Sequence, residues 1–363
     1  MNSATGTPLA PGAASSAFGA GNGAAGTAGV AVTVRGLAKR FGEVEAVHQV
    51  DFSIAPGELF GFLGPNGAGK TTTINMLTGL ARPDAGSIVI DGIDCVRHPR
   101  AAQHLIGVVP DESNLYPEMT GYDNLCFCAA LYGMRKAERC ERARELLDVF
   151  GLTKAAHRRF SGYSKGMKRK LTIAAGMIHR PRILFLDEPT TGIDVASARQ
   201  LRQLIADLHA GGTTVFLTTH YIEEAERLCD RIAFIVAGRI VRVDTVADLV
   251  QPVMDKHVVR IACDNGTACG AACGAGDGEG GIDTRLAAAF PHLRFTLQAG
   301  GGIRVEGDGP VRVGPLVRFL EDQGIEVAEA RRIRPSLEDV FVAITGIEAD
   351  AMRGEREKTG GPR

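Results

Sequence analysis

The chain has 363 residues, of which 45% are hydrophobic, and this length favours two or three domains with ample core. It carries 41 basic and 42 acidic residues, so no overall charge favours nucleic acid as a partner. No run of about 18 apolar residues occurs, which argues against a membrane-spanning helix. The eight cysteines lack zinc-type pairing and favour free thiols, with a metal or redox role left open only for Cys263, Cys269 and Cys273.

The amino-terminal segment differs in composition from the rest of the chain. Its first 34 residues carry no charged side chain and are mostly Ala, Gly, Ser and Thr. Such a segment offers too little apolar surface to fold, and it lacks the basic start and apolar block of a signal peptide. We therefore predict a disordered tail over residues 1–30.

Ordered structure is predicted to begin with strands. Residues 32–34 and 50–54 alternate apolar and polar side chains, as half-buried strands do. The continuous apolar run 59–63 predicts a buried strand that leads directly into a glycine-rich loop.

That loop, residues 64–71, spells G-x-x-x-x-G-K-T and is followed by a helical pattern over residues 72–77. In this strand, loop and helix order, backbone N–H groups and the helix dipole cradle phosphate. Lys70 can then reach the β- and γ-phosphates, and the Thr71 hydroxyl can ligate Mg²⁺. The sequence therefore predicts binding of a nucleoside triphosphate.

Strands and helices continue to about residue 251. Between about residues 112 and 176 the pattern is helical, and strand–helix alternation resumes at residue 183. Such alternation implies a largely parallel sheet with its site at the carboxyl ends of the strands. We predict one α/β domain over residues 31–251, with the helical subdomain inserted into it.

A second domain of α+β class is predicted over residues 252–346, followed by a polar tail over residues 347–363. Its pattern reads strand, helix, strand, strand, helix, strand and a closing helix, the order of a ferredoxin-like sandwich. Ser336 and Asp339 can form a capping box for the last helix, which Gly346 would end.

Two adjacent carboxylates, Asp187 and Glu188, follow the apolar run 183–186. A strand buried on both faces would deliver them to the sheet edge where the phosphate loop lies. There Asp187 can hold Mg²⁺, and Glu188 can take a proton from the attacking water, which contributes about 10²–10⁴-fold to a rate. A solvent-facing acidic strand end is the alternative, but the phosphate loop requires a partner of this kind.

Residues 163–171 read Y-S-K-G-M-K-R-K-L and predict a basic helix. Ser164 is a natural N-cap, and Gly166 keeps the first turn open for a phosphate. Taken alone, the stretch indicates a solvated helix face or a nucleic-acid contact. Its place between the phosphate loop and the paired carboxylates matches the position where one family of nucleotide-binding proteins keeps its signature motif.

Together, these motifs resemble the nucleotide-binding subunit of ABC transporters over about residues 32–250. The resemblance implies a P-loop NTPase core of ABC type with an antiparallel β subdomain. It makes residues 64–72 the Walker A loop, residues 164–167 the signature motif and residues 192–194 the D-loop. It assigns catalysis to Glu188, His220 and Lys70, and Mg²⁺ binding to Thr71, Asp187 and Asp111. The nucleotide-binding residues that it implies are Phe41, Val47, Gly64, Pro65, Asn66, Gly67, Ala68, Gly69, Lys70, Thr71, Thr72, Asp111, Ser164 and Gly166.

The sequence departs from the family pattern at two motifs. The signature is usually Leu-Ser-Gly-Gly-Gln, but Tyr163, Lys165 and Met167 replace three of its residues while Ser164 and Gly166 remain. At the Q-loop position, where the family has glutamine, Asp111 adds negative charge beside the triphosphate.

The resemblance implies a motor subunit whose two copies bind head to tail around two Mg-ATP. Because only one cassette is present, a homodimer is expected, with no nucleic acid as a partner. Residues 115–120 resemble the surface that receives a permease, and residues 334–341 resemble the extension of cassettes that serve ABC-2 exporters. We therefore expect an integral-membrane ABC-2 permease as partner, and a peripheral location on the cytoplasmic face of the cell membrane. The alternative is a soluble ABC-type ATPase or an ATP-sensing regulator.

Overall fold

A computed structural model describes residues 31–254, 257–263, 282–298, 302–307, 309–333 and 336–347. The predicted tail over residues 1–30, the segment that contains Cys269 and Cys273, and residues 348–363 lie outside this part of the chain. The chain divides after Val246 into two compact units, the second of which ends at Gly346. Among the described helices, none combines the length and the apolar character that crossing a bilayer requires.

The first unit alternates strands and helices along the chain. Its strands are β1 (Val32–Phe41), β2 (Val44–Ile54), β3 (Leu59–Leu63), β4 (Ala85–Ile90), β5 (Ile93–Asp94), β6 (Ile106–Val109), β7 (Ile183–Asp187), β8 (Thr214–Thr219), β9 (Arg231–Val236) and β10 (Arg239–Thr245). The helices are α1 (Lys70–Leu77), α2 (Pro99–Gln103), α3 (Gly121–Leu131), α4 (Lys136–Val149), α5 (Lys165–Gly176), α6 (Val195–Ala210) and α7 (Ile222–Leu228), and α8 (Val246–Met254) starts at the boundary.

The central sheet has the order β10-β9-β3-β8-β7-β6. Strands β9, β3, β8, β7 and β6 run parallel, and β10 pairs antiparallel at the edge. The carboxyl ends of β3, β7 and β8 therefore meet at one edge, where the residues after each strand face one another. The predicted, largely parallel sheet is confirmed.

A separate antiparallel sheet of order β2-β1-β4-β5 covers one side of this layer. The core between the two sheets contains a cluster of phenylalanines: Phe52 from β2 stacks on Phe60 of β3 at 5.5 Å and lies 5.9 Å from Phe216 of β8. These rings are almost completely buried, and each contributes a large apolar area to the core. The antiparallel subdomain predicted from the resemblance is thus present.

Helices α3, α4 and α5 form the inserted helical segment. Thr120 caps α3 by accepting a hydrogen bond from the N–H of Asp123. In α4, Leu146 and Leu147 are buried, and Gly151 follows with a φ of 66°, a conformation that favours glycine at a helix end. These residues carry the helical spacing seen in the sequence.

The second unit contains β11 (His257–Cys263), α9 (Ile282–Ala289), β12 (Leu293–Gln298), β13 (Gly302–Gly307), α10 (Val313–Asp322), β14 (Val327–Ile333) and α11 (Leu337–Thr345). Its sheet is antiparallel with the order β12-β13-β11-β14, which is the ferredoxin-like arrangement. Ser336 and Asp339 form the expected capping box, and Gly346 ends α11 with a φ of 70°. The element order agrees with the sequence pattern.

Candidate active site

The phosphate loop between β3 and α1 depends on glycine at two crowded positions. A Cβ at Gly64 would collide with the carbonyl oxygen of Ile235, and one built at Gly69 would lie 2.5 Å from the carbonyl oxygen of Ala46. Gly69 also has a φ of 99°, which other residues rarely adopt. The buried Val47 lies against the same glycine, so β2 packs directly on the loop.

Lys70 is the first residue of α1, and its side chain is only 4% exposed. Its ammonium donates hydrogen bonds to the carbonyls of Gly64 (2.8 Å) and Pro65 (3.0 Å) and lies 3.3 Å from Oε1 of Glu188. The other loop residues, Asn66, Gly67 and Ala68, lie between these carbonyls and the helix, and Thr71 and Thr72 follow Lys70 in its first turn. The lysine therefore connects the loop to the end of β7.

Glu188 follows β7 with a φ of 45°, a left-handed conformation that costs a residue with a side chain roughly 1–3 kcal/mol. Its N–H contacts both the carbonyl and the hydroxyl of Thr218 at 3.1 Å. Its Oε2 accepts a hydrogen bond from Thr191 at 3.2 Å and lies 3.2 Å from Nδ1 of His220. Backbone and side chain are thus both held in place.

The surroundings of Glu188 determine its charge. Burial opposes ionisation of this carboxyl, but the adjacent His220 and Lys70 outweigh burial and lower its pKa to about 2. Glu188 is therefore ionised at neutral pH and able to accept a proton.

Asp187, the last residue of β7, is 4% exposed. Burial raises the pKa of its carboxyl, while hydrogen bonds from Thr218 and Thr71 oppose that rise. Carboxylate and hydroxyl oxygens are the ligands that Mg²⁺ prefers, so Asp187 and Thr71 fit this ion. Asp111 follows β6 nearby, and its electrostatic interaction with Asp187 raises the pKa of Asp187 further.

The signature residues lie elsewhere on the surface of the unit. Ser164 caps α5 by accepting a hydrogen bond from the N–H of Met167 at 3.2 Å, as predicted. Gly166 packs so closely against Ser197 that a Cβ would lie 2.5 Å from its hydroxyl oxygen. Both residues line a cavity of about 350 Å³ that the phosphate-loop residues do not line.

Phe41 is also not joined to the loop by a described contact. It lies at the end of β1, is 55% exposed, and has the ammonium of Lys39 5.4 Å from its ring centroid. Its role in stacking on adenine stays a prediction.

Sequence reasoning missed two residues that organise the site. Thr218 joins Asp187 to Glu188 through one hydroxyl, and Arg169 reaches the ends of β6 and β7 from α5. The sequence showed Thr218 only as a strand residue and Arg169 only as one cation in a basic stretch. No local pattern distinguishes either of them.

Comparison with known proteins identifies the family. The sequence profile of the ABC transporter family matches residues 47–191. The daunorubicin resistance ATP-binding protein DrrA3 of Streptomyces coeruleorubidus is 35% identical over 329 residues, covering 88% of this chain and 97% of that protein. This chain belongs to the ABC transporter family. The linearmycin resistance ATP-binding protein LnrL of Bacillus subtilis (strain 168) is 42% identical over 213 residues, covering 59% of this chain and 68% of that protein.

Solved structures agree with this assignment. An ATP-binding subunit of an ABC transporter has a TM-score of 0.56 and 30% identity, covering 61% of this chain and 92% of that one. The cassette MJ0796, solved as a dimer in a post-hydrolysis state with ADP and Pi, has a TM-score of 0.55 and 28% identity, covering 59% of this chain and 98% of its own. The ABC protein described here is therefore an ATPase of cassette fold and an ATP-binding motor subunit of a transporter. The predicted family, fold class and activity are confirmed.

Proposed function

We propose that two copies of this chain bind two Mg-ATP between them and that hydrolysis drives a separate ABC-2 type permease at the cytoplasmic face of the cell membrane. One observation carries the proposal: beside the phosphate loop, Glu188 has the Lys70 ammonium 3.3 Å from Oε1 and Nδ1 of His220 3.2 Å from Oε2. A phosphate-binding cation, an ionised base and a residue that positions that base are what ATP hydrolysis requires.

The contacts suggest how these groups would act on ATP. Phosphate oxygens would replace the carbonyls of Gly64 and Pro65 as acceptors for Lys70, which then turns away from Glu188. Because the charge of Lys70 lowers the pKa of Glu188, this movement raises that pKa and makes the carboxylate a stronger base. The attacking water then gives a proton to Glu188 while the water oxygen bonds to the γ-phosphorus. The bond between the γ-phosphorus and the oxygen of the leaving ADP breaks in the same step.

Binding of Mg²⁺ is assigned to Thr71 and Asp187, with Asp111 as the third candidate. When bound, the ion would neutralise charge on the phosphate oxygens. The hydrogen bonds from Thr71 and Thr218 keep the Asp187 carboxylate oriented for this task.

The position of the signature residues supports a homodimer. Ser164 and Gly166 lie at the start of α5 on a surface with Lys154, Arg158 and Lys170, and none of the described residues that line this cavity is acidic. Such a surface suits the γ-phosphate of an ATP held by a second copy. The dimeric MJ0796 cassette gives a precedent for pairing.

Export through a permease is supported by the relatives and by an exposed apolar patch. DrrA3 and other resistance proteins align over 87–88% of this chain, beyond the part that the solved cassettes cover. On α3 and the preceding loop, Tyr116 and Leu131 are 51% and 70% exposed, and the Tyr116 ring lies 5.2 Å from that of Phe127. An exposed apolar patch of this kind suits docking to a membrane protein.

The Glu188→Gln variant tests hydrolysis and pairing together. We expect its ATP turnover to fall by about 10²–10⁴-fold and ATP to hold it as a dimer in size-exclusion chromatography. Glu223→Gln is the matched control, because Glu223 is exposed on α7 and pairs with Arg227 on the surface. Normal turnover in Glu188→Gln would remove Glu188 from catalysis, and a persistent monomer at saturating ATP would refute the homodimer.

Docking can be tested by crosslinking in intact membranes. A photoreactive amino acid at Leu131 should capture an integral-membrane protein, whereas one at the exposed Val195 of α6 should not. Capture of no membrane protein from Leu131 would favour the soluble or regulatory alternative.

A further inference from the structure

Arg169 occupies an unusual environment for a residue in a basic stretch. It is the fifth residue of α5, the helix that Ser164 caps, and it is 7% exposed between two neighbours that are only partly buried. Its side chain points towards the carboxyl ends of β6 and β7. Burial lowers the pKa of its guanidinium, while Asp111, Asp187, Glu224 and Glu188 oppose that effect.

All five N–H groups of this guanidinium meet main-chain carbonyls. Nε donates to Pro189 at 2.8 Å, and Nη2 donates to Asp187 at 2.6 Å and Glu188 at 2.9 Å. Nη1 donates to Asp111 at 2.8 Å and also to Pro110. Since arginine has five donors in a fixed plane, this set uses its full capacity.

The accepting carbonyls belong to two separate segments. Residues 110–111 follow β6. Residues 187–189 contain Asp187, the proposed Mg²⁺ ligand, and Glu188, the proposed base for the attacking water. A planar fork that bonds both segments fixes the distance between them. The carbonyl of Glu188 is held here while its N–H is held by Thr218, so the strained backbone of this residue is fixed on both sides.

We propose that Arg169 is a positioning residue for ATP hydrolysis, which sets the orientation of Glu188 by binding the main chain at the ends of β6 and β7. The inference rests on the proposed function, because it requires Glu188 to act on the attacking water. Because Ser164 caps the helix that carries Arg169, Arg169 also connects the signature motif of a chain to Glu188 of the same chain.

Lysine cannot replace this arrangement. Arg169→Lys keeps the positive charge but offers three donors from one nitrogen, so it cannot bond both segments. We expect kcat to fall by about 10²-fold, the effect of a small misplacement of a catalytic group. The KM for ATP should stay within about twofold, because Lys70 and the phosphate loop make no described contact with Arg169.

The experiment compares wild type, Arg169→Lys, Arg169→Gln and the control Arg144→Lys. Arg144 is an exposed residue of α4 whose guanidinium lies 5.7 Å from the Tyr122 ring, so its variant should keep wild-type turnover. Turnover is expressed per bound nucleotide, measured with a fluorescent ATP analogue, so that unfolded molecules do not count. Arg169→Gln provides a neutral second variant if the lysine variant folds poorly.

A double-mutant cycle distinguishes positioning from general damage. If Arg169 acts through Glu188, adding Arg169→Lys to Glu188→Gln should reduce the remaining single-turnover rate by less than about threefold. A further loss of about 10²-fold in the double variant, or wild-type kcat per bound nucleotide in both Arg169 variants, would overturn the proposal. Wild-type protein that hydrolyses no ATP would instead refute the proposed function, and with it the basis of this inference.

Discussion

The hydroxyl of Thr218 provides a direct test of how the site controls Asp187. Thr218 is completely buried, and its hydroxyl donates to Asp187 and accepts from the N–H of Glu188. Replacing it with valine keeps the shape of the side chain and removes only the hydroxyl. The N–H of Glu188 still has the carbonyl of residue 218 at 3.1 Å, so Asp187 is the group that loses a partner.

A hydrogen bond to a buried carboxylate contributes about 1.5–3 kcal/mol, so Thr218→Val should lower the free energy of unfolding by about 2 kcal/mol. The same bond favours the ionised form of Asp187, whose pKa burial already raises. Its loss should therefore move that pKa further up.

Urea unfolding and the pH dependence of kcat/KM measure the two effects. The acidic limb of the pH profile should move to higher pH in Thr218→Val. Thr218→Ser is the control: it keeps the hydroxyl, should lose about 1 kcal/mol for one methyl group, and should leave the pH profile in place. Coincident pH profiles for Val and Ser would refute the view that this hydroxyl sets the ionisation of Asp187.

Two further predictions concern Asp111 and His179. Asp111→Gln should hydrolyse ATP about fivefold faster at low Mg²⁺, because it removes about 1 kcal/mol of repulsion by the triphosphate; equal rates across a Mg²⁺ titration would contradict this. His179 stacks on Tyr132 at 3.6 Å, and burial lowers its pKa from 6.5 to about 4. The unfolded chain therefore binds a proton below pH 6.5 that the folded chain does not bind until about pH 4, and stability falls as pH falls between these values. Between about pH 7.5 and pH 5, protonation of His179 should lower the free energy of unfolding of the wild type by about 2 kcal/mol. Urea unfolding should show that His179→Phe lacks this contribution.

Much of the fold follows from periodicity and short motifs. The four apolar residues before Asp187 predict a strand buried on both faces, and β7 is buried along its whole length. The glycines of the phosphate loop predict close packing around it, because the carbonyls of Ile235 and Ala46 leave no room for a side chain at Gly64 and Gly69. These features are local, so a single sequence contains them.

The rest of the site depends on tertiary contacts. Arg169 stands between Lys168 and Lys170 in a stretch that reads as a basic helix, and only the packing of α5 on the strand ends buries it. The left-handed backbone of Glu188 has no sequence signal either, because glycine is the residue that normally indicates a positive φ. Both features arise where several strand ends converge, and no single segment encodes that convergence.

The carbonyl of Ala46 in β2 has a consequence for nucleotide selection. A Cβ on Gly69 or on Gly238 would come within 2.5 Å or 2.7 Å of its oxygen, and the N–H of Gly238 bonds to the carbonyl of Ala68 at 3.0 Å. Strand β2, which carries Val47, therefore packs closely against both Gly69 and Gly238, and this packing fixes its position relative to the phosphate loop. If Val47 contacts the base as predicted, the distance between the base and phosphate contacts of the proposed ATP site is fixed by this packing, and the site would distinguish ATP from ADP at the γ-phosphate.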